Sequence, residues 1–335
     1  MSHRFLALRG AIVAVSVAVS LPVTPVAGQS RTTAATSLPA DAKNWKPART
    51  PWGHPDLAGV YSNSDEDGIP FERPDEFVGR RLEDITPGEL EKLNRDRRAA
   101  TLGRATDDEL RPVDRLVFWE NLKATNSRAW LVVDPPDGKI PPTTPEARQR
   151  AAARAAAQGG RGPADAAEDR SLYDRCITRG LPGSMMPAIY GNSYEIVQGP
   201  QHVAIIYEMV HETRVIPLDN RPHIGKGIRT YMGDARGRWD GDTLVVETTN
   251  IKDQSAYRNA NGGTLRIVER FKSIGPNGVE WSVTMEDSAT WTRPWSFAMI
   301  LAKKDASQRP FEYACHEGNY GLHNILSAAR AEERR

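Results

Sequence analysis

No sign of charge dominates this sequence: 44 basic side chains face 43 acidic ones, leaving a formal net charge of +1. A balance that close gives no global field to recruit nucleic acid or an anionic membrane, so polyanion binding is not the expected activity. Long hydrophobic runs are also lacking. The one apolar stretch of note, Ala11 to Val23, is short for a bilayer, and no later stretch approaches the ~20 apolar residues a spanning helix needs. No Gly-x-Ser-x-Gly elbow and no Gly-x-x-x-x-Gly-Lys-Ser/Thr loop occurs, which argues against an α/β-type serine hydrolase and a P-loop NTPase. Gly225-Lys226-Gly227 is too short for a dinucleotide fingerprint, and no His-Glu-x-x-His pair is present. Cysteine is scarce, with Cys176 and Cys315 the only two.

What is present begins with an export signal. His3, Arg4 and Arg9 form a basic start, the apolar run follows, and Val26-Ala27-Gly28 offers small residues for cleavage. Residues 1–28 therefore read as a signal peptide, and the mature chain is expected in the periplasm or the medium. No cysteine near the cleavage point offers a lipid anchor. Export favours pairing an even cysteine count, so a Cys176 to Cys315 disulfide is predicted, with two buried free thiols as the alternative. Residues 29–50, rich in Ser, Thr, Ala and Pro, read as a flexible leader.

One domain is expected over residues 51–335, which is long enough for one large core. Thr86-Pro87-Gly88-Glu89 is a capping-box arrangement opening a helix to about Arg98, and Thr144-Pro145-Glu146 opens a second to about Gln158. From Tyr194 onward the period changes to two. Val203, Ile205, Tyr207 and Met209 alternate, with Ala204, Ile206 and Val210 covering much of the other face as in a central strand; Val279, Trp281, Val283 and Met285 alternate likewise, and then Trp295, Phe297, Met299 and Leu301. Turn signals at Trp239-Asp240-Gly241-Asp242 and Gly275-Pro276-Asn277-Gly278 separate the runs. Strands joined by hairpins without intervening helices predict a mainly β fold. The expected form is an antiparallel meander closing into a β-barrel, since closure removes exposed edges, with a few peripheral helices and a short one from about Leu322 to Glu332. Gly59 followed by Tyr61 at its start resembles the opening strand of lipocalin-like barrels.

Several segments taken together resemble an exported bacterial family of unknown function. They are Asp134-Pro135-Pro136-Asp137-Gly138-Lys139-Ile140-Pro141, Arg175-Cys176-Ile177-Thr178-Arg179-Gly180, His211-Glu212-Thr213-Arg214-Val215-Ile216, Gly237-Arg238-Trp239-Asp240-Gly241-Asp242-Thr243-Leu244-Val245-Val246-Glu247-Thr248-Thr249-Asn250 and Tyr313-Ala314-Cys315-His316-Glu317-Gly318-Asn319-Tyr320. The resemblance runs from about Trp52 to Glu332 and implies a single barrel-centred domain, but no reaction.

Chemistry is concentrated near the C-terminus, where residues 313–321 place Cys, His, Glu, Asn and two Tyr between glycines. His316 is the expected general acid or base, with His211 or Glu212 as partner and Tyr190 as a further proton donor. Arg179 and Arg214 are candidates to clamp a substrate carboxylate or steady an oxyanion, and Asn192, His223, Glu317 and Asn319 are expected to contact the ligand. The plainer alternative is that Tyr313 and Tyr320 pack, Cys315 cross-links, and His316 and Glu317 are ordinary turn residues. No organic cofactor is implied. His211, His223 and His316 with Glu212 or Glu317 could ligate a metal, though without a diagnostic spacing. Trp281 and Trp295, in register with apolar neighbours, are expected in the core. The expectation is a cofactor-independent lyase, isomerase or hydrolase acting on a small organic molecule. The alternative is a binding protein for a small apolar or aromatic ligand.

Overall fold

The computed structural model describes residues 45–106 and 124–335; the expected signal peptide and most of the leader lie outside the described residues. Among the described residues, ten antiparallel strands form one sheet, decorated by three α-helices. The strands are β1 (Gly59–Ser62), β2 (Val132–Asp134), β3 (Ser193–Gln198), β4 (His202–Tyr207) and β5 (Thr213–Pro217), followed by β6 (Asp234–Asp240), β7 (Thr243–Thr249), β8 (Arg266–Gly275), β9 (Gly278–Glu286) and β10 (Trp295–Lys304). Spatially they run β5-β4-β3-β1-β10-β9-β8-β7-β6, with β2 pairing beside β1 on β10. Two meanders, β3 to β5 and β6 to β10, are thus joined through β1, which pairs Tyr61 with Tyr194 on one side and with Lys303 on the other.

The expected hairpins form. Gly241-Asp242 turns β6 into β7, with Gly241 at φ 58°, and Pro276-Asn277 turns β8 into β9 between paired Gly275 and Gly278. Period-two alternation places Val279, Trp281, Val283 and Met285 in one core with Trp295, Phe297, Met299 and Leu301, all nearly inaccessible. Burying each such side chain contributes about 1.5–3 kcal/mol, so these adjacent strands are the main apolar anchor of the sheet. Strand β4, whose two apolar faces suggested a central position, lies one strand from the sheet's end, with Ala204 and Ile206 only half-buried.

The expectation of a closed barrel is corrected. The sheet is an open path, and no ladder joins its end strands β5 and β6. They meet instead through side chains: a Cβ on Gly237 of β6 would stand 2.6 Å from Leu218 and 2.8 Å from Ile216. The apolar side chains that fill this gap separate the two backbones. Strand β5 also ends at Pro217, which has no N–H to offer a ladder.

Helix α1 (Pro87–Thr106) starts as expected, with Thr86 and Glu89 capping each other's backbone N–H at 2.9 and 3.3 Å. It runs past Arg98 because Ala99, Ala100 and Leu102 are good helix formers. Arg97 on this helix donates to the carbonyls of Arg128 and Ala129, fixing it beside the small cluster of Phe77, Ala129 and Trp130. Helix α2 (Pro145–Ala157) is capped by Thr144 and buries only Ala147, as a surface helix should. Helix α3 (Tyr320–Glu332) buries no residue at all.

Candidate functional site

The segment between α2 and β3 and the segment after β10 meet at a disulfide joining Cys176 to Cys315, with Cα atoms 5.7 Å apart. The predicted pairing therefore forms, and it rules out Cys315 as a nucleophile. Cys176 takes a left-handed backbone, φ 56°, and Gly180 repeats it at 65°. A Cβ at Gly180 would stand 2.7 Å from the Ser255 carbonyl, so the turn requires glycine there.

Around the disulfide lies a pocket of about 400 Å³. One wall is Tyr173, Asp174, Cys176 and Tyr190; the other is Glu312, Tyr313, Cys315, Asn319, Leu322 and Ile325. The phenols converge. The Tyr190 and Tyr313 hydroxyls are 3.3 Å apart with their rings stacked at 6.4 Å, and the Tyr173 hydroxyl interacts with both. Burial raises the Tyr173 and Tyr313 phenols above the ordinary value, so both stay neutral donors. The Arg179 guanidinium lies 5.7 Å over the Tyr173 ring and donates to the Met186 carbonyl at 3.4 Å.

His211 reaches this neighbourhood through its backbone. Val210 and His211 both adopt positive φ, 64° and 47°, a conformation that costs about 1–3 kcal/mol per residue outside glycine. The kink brings His211 Nδ1 within 2.8 Å of the Tyr313 carbonyl. A carbonyl only accepts, so Nδ1 carries the hydrogen. Glu212 follows on the other side of the chain, accepting from Thr178 at 2.7 Å and Ser184 at 3.4 Å. Burial pushes its carboxyl up, against the lowering effect of those hydrogen bonds and the His211 charge.

Of the other sequence candidates, Asn319 lines the pocket and the rest are placed elsewhere. His316 and Glu317 are exposed on the turn before α3 and do not line the pocket. Asn319 caps α3, accepting from Leu322 N–H at 3.1 Å and donating to the Asp174 carbonyl at 2.9 Å. Asn192 is fully buried and clamps Ala188 through both its backbone groups at 2.8 Å. Arg214 points into the sheet's interior, paired at 2.6 Å with Glu269 of β8. His223 sits between Asp234 and Glu247, at 2.7 and 3.6 Å, and none of the pocket residues is among those partners. Among the described residues, no three His, Cys, Asp or Glu side chains gather as a metal ion would require. None of the helices described is long and apolar enough to cross a membrane.

Sequence reasoning passed over Tyr173, Asp174 and Glu269. Tyr173 stands three residues before Cys176 and Tyr313 two before Cys315, so the disulfide was the signal that could have brought the two segments to notice together. Glu269 stands in phase with Ile267 and Phe271, which marks it as inward-facing. Comparison with known proteins finds no matching family model, no similar curated protein and no matching solved structure.

Proposed function

We propose that the protein is an exported binder of a small aromatic molecule, held in the pocket beside the Cys176–Cys315 bridge. The observation that carries this reading is the convergence of Tyr173, Tyr190 and Tyr313 on that pocket, with Leu322 and Ile325 beside Tyr313 on its second wall. The phenols supply ring faces for stacking and O–H groups for hydrogen bonds, and the aliphatic side chains keep water from part of a flat ligand. Export and kinship with the exported bacterial family belong to the same proposal; a disulfide supports an oxidising compartment.

One observation favours catalysis as a second reading. Burial raises the Glu212 carboxyl beside His211 above the ordinary carboxylate value, and His211 is tied to Tyr313 of the pocket. In that reading the protein is a cofactor-independent lyase, isomerase or hydrolase, with Glu212 and His211 moving protons, and Tyr190 donating one.

The test is to incubate a complex small-molecule extract with the protein, with its Tyr190→Phe, Glu212→Gln and His316→Asn variants, and with buffer, followed by mass spectrometry. Binding predicts a compound retained unchanged by the protein and by His316→Asn, and retained less by Tyr190→Phe. Conversion to a related product that stops in Glu212→Gln favours the enzyme. Neither retention nor conversion of any compound would overturn both readings.

A further inference from the structure

We propose that the pocket is gated by thiol–disulfide exchange. The segment after β10 is a strap pinned over the site by Cys315, and reduction by an external dithiol releases the strap and opens the pocket. The inference rests on the pocket being the ligand site, and it concerns how that site is regulated.

Three observations carry it. First, Leu301 is the last buried residue of the chain: from Ala302 to Arg335 every residue is half-buried or exposed. The core of the sheet is complete without the strap. Second, the strap supplies one whole wall of the pocket, including Tyr313, Leu322 and Ile325, while the body supplies Tyr173 and Tyr190. The site exists only while strap and body are together. Third, besides the part-buried Tyr190–Tyr313 hydroxyl contact at 3.3 Å, the noncovalent ties lie at or near the surface. They include the Tyr313 carbonyl on His211 at 2.8 Å, Asn319 on the Asp174 carbonyl at 2.9 Å, Arg330 on the Asp165 carbonyl at 2.7 Å and Arg309 on Glu195 at 2.9 Å. Arg309 is 71 % exposed, and ties of this kind compete directly with water. The disulfide is the tie that does not.

The chemistry is ordinary exchange with a defined direction. Cys176 is 4 % exposed whereas Cys315 is half-buried, so an incoming thiolate reaches the Cys315 sulfur. The S–S bond breaks, a mixed disulfide forms on Cys315, and Cys176 leaves as a thiolate that then takes a proton. Asn319 Nδ2 lies 3.3 Å from that sulfur and can donate to the leaving thiolate. The second thiol of the reductant resolves the mixed disulfide. Cys315 ends as a thiol, the reductant as a disulfide, and two electrons and two protons have passed to the protein.

Hydrogen exchange read by mass spectrometry tests this on the full chain, oxidised and in excess dithiothreitol, with alkylation counting the thiols. Amides of residues 306–335 are expected to exchange at least tenfold faster after reduction, while β7 to β9 stay protected over the same minutes. A Cys176→Ser/Cys315→Ser variant should match the reduced state without reductant. Three results would overturn the proposal: thiols that the folded protein never yields, strap amides that keep their oxidised rates, or loss of protection in strap and sheet together. None of these readouts needs a ligand. A strap that opens in a protein that retains no compound would sink the binding reading and leave the gate standing.

Discussion

Glu269 and Arg214 are the residues whose chemistry is most at odds with their surroundings. Their side chains are 0 % and 4 % exposed, and the Trp281 indole donates to the Glu269 carboxylate at 3.1 Å inside an otherwise apolar interior. Removing one partner strands a buried charge, so Arg214→Met is expected to cost about 3–5 kcal/mol, and the double change Arg214→Met/Glu269→Leu to recover most of it. Urea unfolding of the three proteins checks this; equal losses in single and double variants would refute it. Glu212 contributes a pH dependence of its own. Its carboxyl is raised from an ordinary 4.5, so the folded state holds that proton more tightly than the unfolded chain. The stability this provides is full below pH 4.5 and is lost as the pH rises through the folded value. Glu212→Gln keeps an acceptor for Thr178 and cannot ionise. Its melting temperature relative to the parent should therefore climb as pH is raised from 4 to 8, and a constant difference would refute the assignment. Arg214 was legible as a special residue but its role was not, because sequence places it on a strand without saying which strand lies opposite.

At the scale of elements, turns and caps were the most legible features. The Thr86–Glu89 box, the Thr144 cap and the two glycine hairpins are local: the residues that make them are within four of each other, so their chemistry is complete in the sequence. The turn at residues 176–180 is different, since the requirement for Gly180 comes from Ser255, far along the chain. Gly180→Ala combines a strained positive φ with a clash against a backbone oxygen and should destabilise by about 1–3 kcal/mol. Thermal unfolding measures this, and a neutral result would show that the turn can relax. The extended segments were found by period, yet β4 was assigned a more central place than it has. Apolar residues on both faces show that a strand is covered, not how many strands flank it.

For the whole molecule the disulfide is the longest covalent constraint, joining residues 139 apart in sequence. In the chain-entropy model a loop of that size stabilises the fold by about 4–5 kcal/mol. The Cys176→Ser/Cys315→Ser variant is expected to lose that much in denaturant-induced unfolding while keeping the sheet's circular-dichroism spectrum, because the core ends at Leu301. Loss of the spectrum itself would mean that the sheet depends on the cross-link.

The sequence by itself determined the class of fold, the hairpins, the helix starts, the inward face of β9 and β10, and the partner of each cysteine. These follow from period, local capping and a count of two, which need no knowledge of distant neighbours. Only the tertiary structure decided that the sheet stays open, that β1 joins two meanders, that Arg214 meets Glu269, and that Tyr173, Tyr190 and Tyr313 share a pocket while His316 faces solvent. Those outcomes depend on which surfaces are brought together when apolar area is buried, and side chains such as Ile216 and Leu218 seated on Gly237 settle that by shape rather than by any pattern along the chain.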